Sequence, residues 1–218
     1  MPDVPTGAPP PETRRRLLDL TALRFVMSPV DFPAAHAEMT AFLGAGGFQR
    51  ESFVSSELAL FENPHALPRS YVTYRTRPAP APSILLAALS RNDFDPLVES
   101  YVEGDPGFTS APDGSERGAT AQVVVDGERT VEVEAVLERP GLVVLADTFY
   151  PGWSAQVDGN SAPILATNHL FRGVPAPAGR HRIRFDYQPR SLWFGAAASL
   201  VGWLVIAACG VWLMRADH

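Results

Sequence analysis

Three side chains in the last third of the chain have the chemistry to bind something: Trp153, Asn168 and Arg172. An indole face stacks on a sugar ring. An amide donates to and accepts from hydroxyls, and a guanidinium grips a phosphate or carboxylate through two donors. Each also has a packing reading. Trp153 closes Tyr150-Pro151-Gly152-Trp153, where proline fixes φ, glycine tolerates an unusual φ and the ring can fill a core. Asn168 can close a turn, and Arg172 can pair with an acidic strand neighbour. Asp158-Gly159 reads as a hairpin turn rather than a ligand site. Arg69 could reach a phosphate, but a pairing with Glu62 or Asp19 is the simpler expectation.

Other chemistries find no support. His36, His65, His169 and His181 are scattered, and the one cysteine, Cys209, lies in an apolar run. No metal site, disulfide or cofactor is therefore expected. No G-x-S-x-G, P-loop, H-E-x-x-H or dinucleotide-binding glycine pattern occurs, and no acid/base pair emerges from spacing. No catalytic residue is expected. A net charge of −6 argues against nucleic acid. All 18 basic residues are arginine, which reads as a coding bias.

The elements that must hold these residues are mostly strands. Residues 130–137 alternate, with Val131, Val133, Ala135 and Leu137 on one side, and residues 182–187 do the same with Ile183, Phe185 and Tyr187. Period-two alternation means one buried and one wet face. Between them, residues 142–146 are continuously apolar, as in the centre of a sandwich. Turn signals recur at Asp126-Gly127, Asp158-Gly159-Asn160 and Ala178-Gly179. Upstream the pattern is mixed. Strands are expected over 23–28, 57–62 and 71–75. A helix over 33–43 should stop at Gly44-Ala45-Gly46-Gly47. Residues 78–82 read as a stiff proline linker, after which Ser83 should cap a helix over 84–90. Residues 104–118 read as a loop.

The fold class expected is mainly β with some α: an antiparallel, sandwich-like region followed by one C-terminal transmembrane helix. The division is 1–16 disordered, 17–115 mixed α/β, 116–190 β-sandwich, 191–214 membrane helix and 215–218 a short tail. Residues 192–214 are uncharged, and as a helix about 35 Å long they would cross a hydrocarbon core of about 30 Å. Trp193 and Trp212 sit near its ends, as interfacial indoles do. Gly195, Ala198, Ser199 and Gly202 leave room for a neighbouring helix. Arg190 and Arg215 flank it at either end, so charge does not choose an orientation. Arg14-Arg15-Arg16 precedes LLDLTALRFVMS, but Asp19 and Arg24 interrupt that run, so it is not read as a secretory signal.

The stretch 147–189 resembles the YfhO family of bacterial polytopic membrane proteins. The residues that carry the resemblance are Tyr150-Pro151-Gly152-Trp153, Val157-Asp158-Gly159, Asn168, Leu170-Phe171-Arg172, Val174, Pro177-Ala178-Gly179, His181, Phe185, Tyr187 and Pro189. It extends upstream to Leu17-Leu18-Asp19-Leu20, Arg24-Phe25-Val26 and the run from Phe61 to Arg69. The resemblance implies the C-terminal portion of a membrane glycosyltransferase of the lipid-linked-sugar type, associated with cell-envelope polymers such as lipoteichoic acid. It implies an extracytoplasmic β-domain plus the last helix in a bacterial cell membrane, with bilayer, neighbouring helices and envelope glycan as partners. The catalytic acid of such enzymes would lie in an early loop of the helical bundle, so no catalytic role passes to this chain. The lack of an export signal fits the tail of a longer polytopic protein. The alternative is an independent single-pass protein whose β-domain binds glycan or protein.

Overall fold

The computed structural model describes residues 11–30, 33–53, 57–91, 93–110, 119–189, 191, 194–196, 198–204 and 206. Helix α1 (Pro11–Leu20) begins inside the segment read from composition as disordered. There follow β1 (Phe25–Pro29), α2 (Pro33–Ala45), β2 (Gln49–Phe53) and β3 (Leu58–Glu62). The three strands form a small antiparallel sheet ordered β1-β3-β2. Leu43 at the end of α2 and Phe48 beyond the glycine stop join Ala59 and Phe61 of β3 in its core.

Next come β4 (Ser70–Thr73), β5 (Arg75–Pro78), α3 (Pro82–Leu89) and β6 (Glu99–Val102). The start of α3 departs from the sequence reading. Ala81 occupies the N-cap, no side chain caps it, and Pro82 stands in the first turn. A proline there is pre-set to helical φ and has no N–H to leave unpaired, so Ser83 is free of the capping role.

The remaining strands are β7 (Thr120–Asp126), β8 (Thr130–Leu137), β9 (Gly141–Thr148), β10 (Trp153–Val157), β11 (Asn160–Ala162), β12 (Leu165–Thr167), β13 (Phe171–Ala176) and β14 (Gly179–Tyr187). They build a five-stranded sheet, β11-β10-β14-β8-β7, and complete a six-stranded one, β4-β9-β13-β12-β6-β5. All neighbours are antiparallel except β5 and β6. The six-stranded sheet draws strands from both sides of residue 115.

The expected alternation is realised in β8, where Val131, Val133, Ala135 and Leu137 are buried and their neighbours half-exposed. In β14, Ile183 and Phe185 are fully buried. These residues meet Val72, Val143, Leu145, Val174 and Ala176 of the opposite sheet in one apolar cluster. Leu142 and Val144 point the other way and pack against Leu20, Leu85, Leu89 and Phe94. The six-stranded sheet is therefore a middle layer, sheet on one face and helices on the other. That is why β9 reads as an unbroken apolar run: a strand covered on both faces has no wet side.

After β14, every described residue between 191 and 206 is helical and exposed. Phe194, Leu200, Trp203 and Ile206 are 62–75% accessible. Among the described residues no helix is long and apolar enough to cross a membrane. The expected span lies partly outside them, as do Arg190, Trp193, Cys209, Trp212, Arg215, residues 1–10 and residues 111–118 of the loop.

Candidate functional site

Of the three residues singled out by type, Trp153 and Arg172 converge at the end of the two sheets from which the chain leaves β14. A bulge sets the geometry. Phe171 pairs with Thr148, but Arg172 pairs with Leu145, so one step on β13 faces three on β9. Ala146 and Asp147 are the extra residues, and bulges of this kind re-aim side chains. The carboxylate of Asp147 is thereby offered to two arginines.

Arg69, just before β4, grips Asp147 with both prongs: Nε donates to Oδ1 at 2.9 Å and Nη2 to Oδ2 at 3.0 Å. Its Nη1 donates to Asp126 Oδ2 at 2.6 Å. The expected pairing of Arg69 with Glu62 or Asp19 is not made. Glu62 accepts from Arg24, and Asp19 accepts from the buried Asn63 at 2.9 Å. Bonds to Asp147 and Asp126 raise the pKa of Arg69 further above its ordinary value, and the Arg69 bond holds Asp126 below the usual carboxylate range.

Arg172 is the second arginine, with only 4% of its side chain accessible. Its Nη2 donates to Asp147 Oδ2 at 3.2 Å. The guanidinium carbon stands over the Trp153 ring, 3.8 Å from its centroid, and 5.6 Å from the centroid of the Phe185 ring. A planar, weakly hydrated cation is suited to such a stack. Burial pulls its pKa down, and Asp147 opposes that. Nε and Nη1 of Arg172 and Nε1 of Trp153 have no hydrogen-bond partner among the described residues.

Trp153 is half-buried. Tyr150 meets its edge at 6.2 Å, and Tyr187, its cross-strand partner, lies at 5.2 Å. Gly152 lets the loop make this turn. Its φ is +109°, and a Cβ there would stand 2.8 Å from the Tyr187 ring and 3.2 Å from Pro189 Cα. Pro151, ahead of it, is exposed.

Asn168 sits elsewhere in the network. It is buried, in the left-handed region at φ 48°. Its Oδ1 accepts from the Tyr101 amide at 2.8 Å, and its Nδ2 donates to Tyr71 Oη at 3.1 Å and Ser100 Oγ at 3.2 Å. Burial pushes the Tyr71 phenol up. Asp158 and Gly159, both at positive φ, turn the hairpin at the far end of β10. There Asp158 accepts from His181 at 2.6 Å and from the Arg182 amide at 2.8 Å.

The structure thus brings together Trp153, Arg172, Tyr150, Pro151 and Gly152, and leaves Asn168 and Asp158-Gly159 as separate joints. It adds Arg69, Asp126 and Asp147, whose convergence no spacing rule announces because they come from three distant segments. A shallow cavity of about 450 Å³ opens beside Arg69, lined also by Arg24, Glu62 and Asn63.

The model of the family described as bacterial membrane protein YfhO matches residues 141–199. Over those residues the chain is similar to the C-terminal part of that family. The matched stretch starts at the first residue of β9, includes every strand through β14 and runs into the exposed helical residues beyond 191. No curated protein and no solved structure matches the chain. The network centred on Asp147 ties the matched stretch to segments before it, through Arg69 and Asp126.

Proposed function

We propose that the chain is the extracytoplasmic β-module and last membrane helix of a YfhO-like membrane glycosyltransferase that modifies cell-envelope polymers. It has no catalytic set of its own. It braces the helical bundle or presents the acceptor polymer. The observation that supports this is the reach of the family match, which covers the β9–β14 strands and continues into a mostly apolar helical stretch whose described residues are exposed. A helix with Phe194, Leu200, Trp203 and Ile206 in the open presents apolar side chains around its circumference, and lipid is the natural surrounding for such a surface. Gly195, Ala198, Ser199 and Gly202 put small side chains along this helix, where another helix can approach closely.

Protease added to intact spheroplasts tests the placement. Cleavage of the β-module with retention of a carbonate-resistant C-terminal fragment is expected. Complete protection of the β-module would refute the extracytoplasmic placement.

A second reading, an independent membrane-tethered glycan-binding domain, is favoured by the three unpartnered donors on Arg172 and Trp153. In that reading Trp153 and Arg172 contact the sugar or its phosphate, and Asn168 positions the loop. Titration of Trp153→Phe and Arg172→Lys proteins with envelope oligosaccharides separates the readings. Equal binding by parent and variants removes the glycan contact.

A further inference from the structure

We infer that Phe149, Tyr150 and Leu170 form a foot that seats the β-module on the bilayer surface. This rests on the reading that residues 192–214 cross the membrane. Phe149, Tyr150 and Leu170 are 38%, 41% and 46% accessible, although large apolar and aromatic side chains elsewhere in the two sheets are mostly buried. They belong to two loops bound to each other, since the Phe149 amide donates to Leu170 O at 2.6 Å.

The loops also adjoin the point at which the chain leaves for the apolar helix. The Gln188 amide donates to Gly152 O at 2.7 Å, and Tyr187 and Pro189 lie under Gly152 at contact distance. Tyr150 packs edge-on against Tyr187 at 5.3 Å. A surface fixed this closely to the start of a membrane helix meets the headgroup layer when that helix inserts.

The composition suits that layer. Residues 148–157 and 159–171 contain no aspartate, glutamate or arginine, so these stretches bring no carboxylate or guanidinium toward lipid. Tyrosine and phenylalanine at the edge of a span bury their rings at the acyl boundary, and a phenol keeps its hydroxyl among headgroups. Among the described residues, the charges Arg69, Asp126, Asp147 and Arg172 behind the foot are paired with one another, so lowering them toward the interface strands none of them as a lone ion.

The full chain, reconstituted in vesicles of phosphatidylcholine and phosphatidylglycerol, tests this. Cys209→Ala supplies the background, and Leu170→Cys, Ala178→Cys and Leu204→Cys each carry an environment-sensitive fluorophore. Ala178 lies at the opposite end of the sheets. The probe at 170 is expected to emit blue-shifted light that quenchers in the upper acyl region extinguish. The probe at 178 should be untouched, and the one at 204 quenched from deep in the bilayer. A probe at 170 that behaves like that at 178, while 204 is quenched, overturns the foot and leaves the membrane span standing. A blue-shifted probe at 170 beyond the reach of lipid quenchers places protein on the patch and also overturns it. An unquenched probe at 204 removes the span itself and the foot with it.

Discussion

Asp147 serves two arginines of unequal burial, and the difference is measurable. Arg172 has 4% of its side chain accessible and no other carboxylate bonded to it among the described residues, whereas Arg69 is 38% accessible and also holds Asp126. Removing the charge with Asp147→Asn leaves Arg172 buried and uncompensated, a situation that costs about 3–5 kcal/mol. Asp126→Asn breaks an exposed pair and should cost about 1 kcal/mol or less. Urea unfolding of both variants checks the contrast, and equal losses would contradict the assignment of Asp147 as the shared counter-ion.

The pair of Asp158 and His181 carries a pH dependence. Its bond to Asp158 raises His181 above the ordinary value of 6.5. That contribution is complete below 6.5 and is lost as pH rises through the raised folded value. The Arg182 amide and then His181 hold Asp158 below 3.8. That contribution is present above 3.8 and is lost as pH falls through the lowered value. His181→Gln should therefore flatten the thermal midpoint on the alkaline side and keep the acid-side decline. An unchanged alkaline slope would exclude the pair as its source.

Strands were more legible than helix ends or joints. β8 and β14 announce themselves because each has one face in the core and the other lined by charges, with Arg182 opposite Glu134 and Arg184 opposite Glu132. β9 was legible as a buried strand, but not the reason, since its second cover of α1 and α3 comes from distant sequence. The start of α3 was misplaced because a serine next to a proline resembles a cap, while the proline had already met the need for one. Ser83→Ala should therefore change stability by less than about 0.5 kcal/mol, against about 1 kcal/mol for a true N-cap. Chemical denaturation decides between them. At Gly173 in β13 the requirement is space. A Cβ would stand 2.2 Å from Thr167 Oγ1 and 3.0 Å from Leu142 Cδ2, both in the buried layer. Gly173→Ala should cost about 1–3 kcal/mol by overpacking, read as a lower unfolding midpoint.

At the scale of the whole molecule, buried and half-buried polar pairs join segments far apart in the chain. Asp19 meets Asn63, Arg69 meets Asp147, and Asn168 meets Tyr71 and Ser100. Motif types could be picked out along the chain, but their partners could not, because each bond spans 44 residues or more. The layering predicts a stability order. β9 and β13 are central in the doubly covered sheet, so their amides should exchange with solvent most slowly. The β1-β3-β2 unit, with its small separate core, should exchange sooner. Hydrogen exchange followed by mass spectrometry tests this, and equal protection of the two regions would show a single cooperative unit instead.

The chain's exit strand has a mechanical meaning. β14 is the middle strand of its sheet, flanked by β10 and β8. A pull transmitted along the C-terminal helix reaches the module at Tyr187 and is divided between two ladders. The bonds on both sides are loaded in shear and resist together, whereas an edge strand would be peeled away one bond at a time. Lateral movement of that helix would drag the β-layers along as one body before it could unravel them.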